Sequence, residues 1–270
     1  MTSTIPLRAH LRRPGEIHLG LGSDAAVVLS GLTEAETRAV VALGPMTARQ
    51  WGSAHLARPP SPRWPAVLQL LGDAASALGT PAPDVSGVLI CGSGSVPQAV
   101  RHVIADMGDR PARSPTTLAV LIAAEHICAG AVDRWQRERI PHLPVTVGAR
   151  RAVVGPLIRP GIGPCVGCLD HHRAVLDQGW APIALEEPWR DGIGIAGSTE
   201  APGRSAATTV SAPADLCAVV AGVVGLVTRG YLTGAPLPVG VSLTITSPVP
   251  RIQHRLWRPH PRCCPDAEWQ

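Results

Sequence analysis

The 270-residue chain contains no lysine, no phenylalanine and no asparagine, and its only tyrosine is Tyr231. All 24 basic residues are therefore arginine, a bias of the kind that GC-rich coding produces. The missing lysine excludes both a P-loop clamp on the β- and γ-phosphates and a Schiff base. The excess of one charge over the other is small as well. The formal charge is only +4 and the arginines are scattered, so no nucleic-acid surface is indicated. Long hydrophobic runs are lacking, since the longest uncharged apolar stretch, Leu216 to Thr228, falls short of the roughly 20 residues of a spanning helix. Met1 to Glu16 has arginines but no apolar segment of a secretory signal. A cytoplasmic protein that uses neither membrane nor nucleic acid is expected.

What is present is a globular composition, with 45% apolar residues and 28 glycines and 28 prolines that make turns frequent. Seven cysteines are odd in number and sparse, which in a reducing compartment points to metal or redox chemistry before structural disulfides.

The first 80 residues read as a unit of their own. Arg8 to Arg13, Glu16 to Leu21 and Ala25 to Ser30 are three short β-type runs separated by Pro14-Gly15 and Gly22-Ser23-Asp24. Thr33 with Glu36 forms a capping box ahead of a helical run to Leu43, and Thr47 with Gln50 repeats it ahead of a run to about Ala57. Ser61-Pro62 opens a third run to about Leu78. Gly79 to Asp84 is the linker, so the domains are expected at 1–80 and 81–270. Beyond it, strands at Gly87 to Cys91, Leu118 to Ala123, Val145 to Val147, Ala152 to Ile158 and Val241 to Thr246 alternate with helices at Pro97 to Met107, Ala129 to Glu138 and Asp215 to Tyr231. That alternation predicts an α/β layer on a mostly parallel sheet. Gln178 to Ala214 is read as a long crossover.

Three motifs carry chemistry. Gly87 to Pro97 is a buried strand running into Gly92-x-Gly94-x-x-Pro97 and then a helix, where glycines let backbone approach a phosphate at a helix start. Pro97 replaces the third glycine and no acidic residue follows at the ribose-binding distance, so a turn that binds nothing is the favoured reading. Cys165-Val-Gly-Cys168 is more specific. With Cys263 and Cys264 it would complete a tetrahedral zinc site, although adjacent cysteines chelate awkwardly and His260 is an alternative fourth ligand. A redox C-x-x-C would sit at a helix N-terminus after a strand and would not need the distant pair. Glu125-His126 closes a predicted strand, where α/β folds place ligands, but a solvated strand end is the simpler account. Asp170 to Arg173 decorates a helix, and Cys91, Cys128 and Cys217 read as small core residues. Trp189 and Trp257 are read as buried in preference to partner contacts.

The strand-Gly92-x-Gly94-helix, then Val153-Val-Gly155-Pro-Leu157, Gly163-Pro-Cys165-Val-Gly-Cys168-Leu-Asp-His-His-Arg173 and Arg258-Pro-His-Pro-Arg-Cys263-Cys264 together resemble the ThiF-like (ubiquitin-activating-enzyme-like) partner proteins of azoline-forming peptide cyclodehydratases, which belong to thiazole/oxazole-modified microcin (TOMM) biosynthesis. The first 80 residues resemble the family's winged-helix-like leader-peptide recognition domain, and the remainder a Rossmann-like domain with a zinc staple. The resemblance implies that a precursor's leader adds as a strand beside the third strand and against the third helix, which here are Ala25, Ala26, Val27, Val28 and Leu29, with Val67, Leu68 and Leu71. It implies structural zinc on Cys165, Cys168, Cys263 and Cys264, and vestigial Gly92 and Gly94. The family's last motif has a residue between its two cysteines and this chain has none. ATP chemistry resembles the work of a separate YcaO-type subunit, to which this chain would bring the precursor; ATP on this chain is not expected, and a homodimer stays open. The second reading is an ATP-dependent adenylyltransferase acting on a peptide or carrier-protein carboxylate. The third is an NAD-binding oxidoreductase.

Overall fold

The computed structural model describes residues 6–20, 26–79, 82–108, 115–180 and 209–264, and the chain divides into two compact units, Met1–Ala82 and Pro83–Gln270.

In the first unit, β1 (Ala9–Arg13), β2 (Glu16–Leu19) and β3 (Val27–Leu29) pair antiparallel in that order. The turn between β1 and β2 works because Gly15 takes a positive φ of 80°, and a Cβ there would meet the Leu32 carbonyl at 3.0 Å. Three helices follow: α1 (Glu34–Ala42), α2 (Ala48–Ser53) and α3 (Trp64–Leu78). Both capping boxes form. The Glu36 amide donates to Thr33 Oγ1 at 3.2 Å while the Thr33 amide donates to Glu36 Oε2 at 2.8 Å, and Thr47 and Gln50 repeat the exchange. Glu36 has a second task. Its fully buried carboxylate accepts from Arg63 Nε at 2.8 Å, Arg63 Nη2 at 2.7 Å and the Ser61 hydroxyl, which ties α1 to the start of α3. Those donors, Arg63 first, hold its pKa well below the usual carboxylate range. Ile17, Leu19, Leu29, Val40, Trp51, Val67, Leu68 and Leu71 make one core.

In the second unit the elements run β4 (Val88–Cys91), α4 (Ser95–Ala105), β5 (Leu118–Ala124), α5 (Ala129–Arg137), β6 (His142–Val147), β7 (Arg151–Val154), α6 (Val166–Leu176), α7 (Ala214–Leu232), β8 (Val241–Thr246) and β9 (Arg251–Leu256). They form one six-stranded sheet in the order β4-β5-β6-β7-β8-β9. The class is α/β, but the expected mostly parallel sheet needs correction. Only β4, β5 and β6 are parallel, while β6 through β9 pair antiparallel. Connection length accounts for two of these pairs, since β6 to β7 and β8 to β9 turn within a few residues and a parallel crossover needs a dozen or more; β7 and β8 are antiparallel although α6 and α7 lie between them.

α4 and α7 cover one face, where Val100, Ile104, Val220 and Val224 meet Val120, Leu143, Val154 and Ile245. On the other face Leu121 and Ala123 of the parallel half pack on Val132 and Trp135 of α5 and Val166 of α6. Over the antiparallel half, Thr146, Val153, Ser242 and Thr244 line an open cavity with Arg173 of α6. α7 is longer than the uncharged stretch within it, because Asp215 and Arg229 belong to the helix. By length and composition it could cross a membrane, yet Leu216, Val220, Val224 and Val227 are buried in the core.

Candidate functional site: a cysteine quartet, a glycine turn and a strand edge

Cys165 is the N-cap of α6 and Cys168 lies in its first turn, while Cys263 and Cys264 sit in the turn after β9. The fold brings all four sulfurs within 4.8 Å of one another. Cys165 Sγ is 3.8 Å from Cys168 Sγ, 3.3 Å from Cys263 Sγ and 3.4 Å from Cys264 Sγ, and the two adjacent sulfurs are 3.9 Å apart. A tetrahedron with Zn–S bonds of about 2.3 Å has edges of about 3.8 Å, so the quartet is near the required size. Gly167 makes room for it, since a Cβ there would come 2.9 Å from Cys263 Sγ. Adjacent cysteines can both turn inward because the His260 carbonyl accepts from the amides of Cys263 and Cys264, each at 2.9 Å. His260 itself donates its amide to Cys168 Sγ at 3.2 Å, and its ring stacks on His171 at 4.7 Å between centroids. Its Nδ1 accepts from the Arg262 amide, so the ring is engaged outside the sulfur group.

Without a cation the quartet resists ionisation. Contact with the Cys165 thiol, then burial, raises the pKa of Cys168, and burial pushes Cys263 up to about 12. Close thiols oppose one another's ionisation, and a divalent cation reverses that by stabilising all the thiolates together. An all-sulfur donor set suits zinc. The C-x-x-C does open a helix, as a redox pair would, so helix position alone does not separate the two chemistries. Closeness of both sulfurs to the distant pair is what a four-ligand metal site needs.

The glycine turn is arranged as the spacing predicts, with Gly92 at φ 119° and Gly94 at φ 106° as the N-cap of α4. One helix-start amide is already engaged. The Val96 amide donates to the Val210 carbonyl at 3.3 Å, and the Val210 amide donates back to the Ser93 carbonyl at 2.8 Å, within a parallel bridge of Ser93 with Thr209. A Cβ on Gly94 would lie 2.5 Å from the Val210 carbonyl oxygen. The second glycine therefore admits a strand of the same chain to the place where a phosphate would approach.

In the first unit, β3 is the edge of its sheet, with β2 on one side and no strand on the other among the described residues. Ala25 lies outside the described residues. Val28 is exposed and Ala26 and Val27 half-buried, while Leu29 turns into the core with Val67, Leu68 and Leu71 of α3; the large apolar side chain that α3 exposes is Leu70.

Glu125 and His126 line a cavity with residues from β6, β7, α6, β8 and β9, which only the tertiary fold could assemble. In α6, Asp170 pairs with Arg173 at 3.1 Å and His172 donates Nε2–H to the Arg258 carbonyl at 2.9 Å. Cys91 is buried, which pushes its thiol up to about 11, and Cys217 is a core residue. Cys128 is half-buried at the start of α5. Trp257 is buried and donates its indole N–H to Ser242, while Trp189 lies outside the described residues.

Neither a family model nor a curated protein matches the sequence. Solved structures do match in fold. A heterocyclase in complex with substrate and cofactor aligns over 97% of this chain at 15% identity with a TM-score of 0.56. The heterocyclase TruD aligns over 97% at 15% identity with a TM-score of 0.51. This chain spans 38% and 42% of those two chains, and it shares the fold that they carry over that part of their length.

Proposed function

We propose that this protein is a non-catalytic, cytoplasmic scaffold that captures the leader of a ribosomally made precursor peptide and presents its core to a YcaO-type cyclodehydratase for azoline formation. The observation that carries the reading is the likeness in fold: nearly all of this chain aligns with part of a heterocyclase. The glycine turn supports the division of labour, because its helix-start amide already serves Val210 and no lysine exists to hold a triphosphate. In this reading the first unit is the winged-helix-like recognition domain and the second a Rossmann-like domain, with structural zinc on Cys165, Cys168, Cys263 and Cys264.

The leader would add as a strand on the open edge of β3, where main-chain hydrogen bonds supply affinity and Val28 is exposed for contact. Tethering makes the encounter of the core with the partner's active site effectively intramolecular. The test is fluorescence anisotropy with the leader of a precursor encoded beside the gene. Saturable binding is expected. Successive strand amides point to opposite edges, so proline at one of Val27 and Val28 should weaken binding at least tenfold, and at the other much less. No binding in the presence of the partner subunit would refute the scaffold, and pyrophosphate exchange from ATP by this chain alone would favour an adenylyltransferase instead.

A further inference from the structure

The second unit contains a cavity of about 420 Å³ over the antiparallel half of its sheet. Strand alternation creates it: one side of β7 and β8 faces the α4/α7 core, and the other presents Val153, Ser242 and Thr244 to the cavity, with α6 at its margin. Three arginines enter this space, Arg151 from β7, Arg255 from β9 and Arg173 from α6.

Their charges are unevenly matched. Arg173 is paired with Asp170, whereas Arg151 and Arg255 form no ion pair among the described residues, and neither does Glu125 on the cavity wall. His126 adds no charge at neutral pH. It is buried, Arg173 Nη1 lies 3.3 Å from its Nδ1, and burial followed by that arginine lowers its pKa to about 4. Among the described residues, three guanidinium groups against the carboxylates of Asp170 and Glu125 leave a single uncompensated positive charge. One negative charge on a ligand balances it, whereas a dianion would overshoot and face two carboxylates.

The shape of the cations is equally selective. The guanidinium of Arg255 lies 3.8 Å from the centre of the Trp257 ring, and that of Arg173 lies 5.5 Å from Trp257 and 5.2 Å from Trp180. A guanidinium near an indole face keeps its edge donors free for in-plane bonds, the geometry that a planar carboxylate meets with two oxygens. Val153 and the indoles offer the apolar surface beside it.

We propose that this cavity binds a monoanionic organic carboxylate, its carboxylate held by Arg151 and Arg255 and its apolar body lying along Trp257. The proposal goes beyond the leader-binding reading and does not depend on it, since the site is formed by residues of the second unit alone.

The test uses the full chain and two acids, benzoate and N-acetylphenylalanine, each compared with its neutral amide by calorimetry and by the emission of tryptophan. Saturable binding of the acids at millimolar concentration or better is expected, with the amides at least tenfold weaker. Arg151→Gln and Arg255→Gln should each weaken the acids at least tenfold without changing the melting temperature. Arg137→Gln, outside the cavity, should change nothing. Absence of saturable binding by both acids, equal binding of acids and amides, binding that survives both cavity substitutions, or tighter binding of inorganic phosphate would overturn the proposal.

Discussion

Replacing His142 by leucine should remove about 2 kcal/mol of acid sensitivity from the second unit. His142 begins β6 and is fully buried; its Nδ1–H donates to the Ile140 carbonyl at 3.0 Å and its Nε2 has no partner among the described residues. Burial lowers its pKa from 6.5 to about 4, with the Ile140 hydrogen bond opposing only in part. The sign follows from which state takes up the proton. Between about pH 6.5 and pH 4 the unfolded chain is protonated at this ring while the folded chain is not, so stability falls as the pH drops through that window and levels off below it. At about pH 5 the unfolded ring is some 1.5 pH units past its midpoint and the folded ring is still mostly neutral, which at about 1.4 kcal/mol per unit gives about 2 kcal/mol. Leucine cannot titrate, though it also forfeits the hydrogen bond to Ile140, about 1 kcal/mol at every pH. The assay is therefore a double difference: urea unfolding of both proteins at about pH 7.5 and about pH 5, followed by circular dichroism. If the two proteins lose equal stability on acidification, His142 is not held neutral by burial and the reasoning fails.

Glu36→Gln should cost about 3 kcal/mol in the first unit by stranding Arg63 and Ser61, read by thermal unfolding. Because the folded pKa of Glu36 is depressed, its contribution is full above the ordinary glutamate range and fades as the pH falls below it. Protein purified from zinc-supplemented cells should carry one zinc per chain, and Gly167→Ala, which drives a methyl group against Cys263 Sγ, should weaken zinc at least tenfold in chelator competition. A strong chelator should lower the melting temperature of wild type and have little effect on Cys168→Ser. Gly94→Ala should destabilise the second unit by about 2 kcal/mol without any nucleotide present, as its positive φ and the Val210 carbonyl both resist a Cβ.

The sequence was most informative where a local rule is strict. Capping boxes at Thr33 and Thr47 placed two helix starts to the residue, because their bonds span three positions. The end of α2 was placed too late, since Ala54 adopts an extended conformation and the helix stops at Ser53. β9 was missed altogether. All six of its residues are exposed, so no alternation marks it, and only pairing with β8 defines it. α6 was hinted at by Asp170 to Arg173 but not placed, because glycine and histidine dilute its pattern. The quartet was readable because cysteine is rare and its spacing specific, whereas the arginine cavity draws single residues from separate elements and leaves no local trace.

The carbonyl of Val210 reaches the start of α4 as part of the same polymer, so it cannot diffuse away. An anion arriving from solution must outcompete a permanent neighbour, and it must unzip the Ser93–Thr209 bridge before it gains that amide. Glycine spacing thus specifies the contour of a turn, while a residue much later in the chain decides what the turn holds.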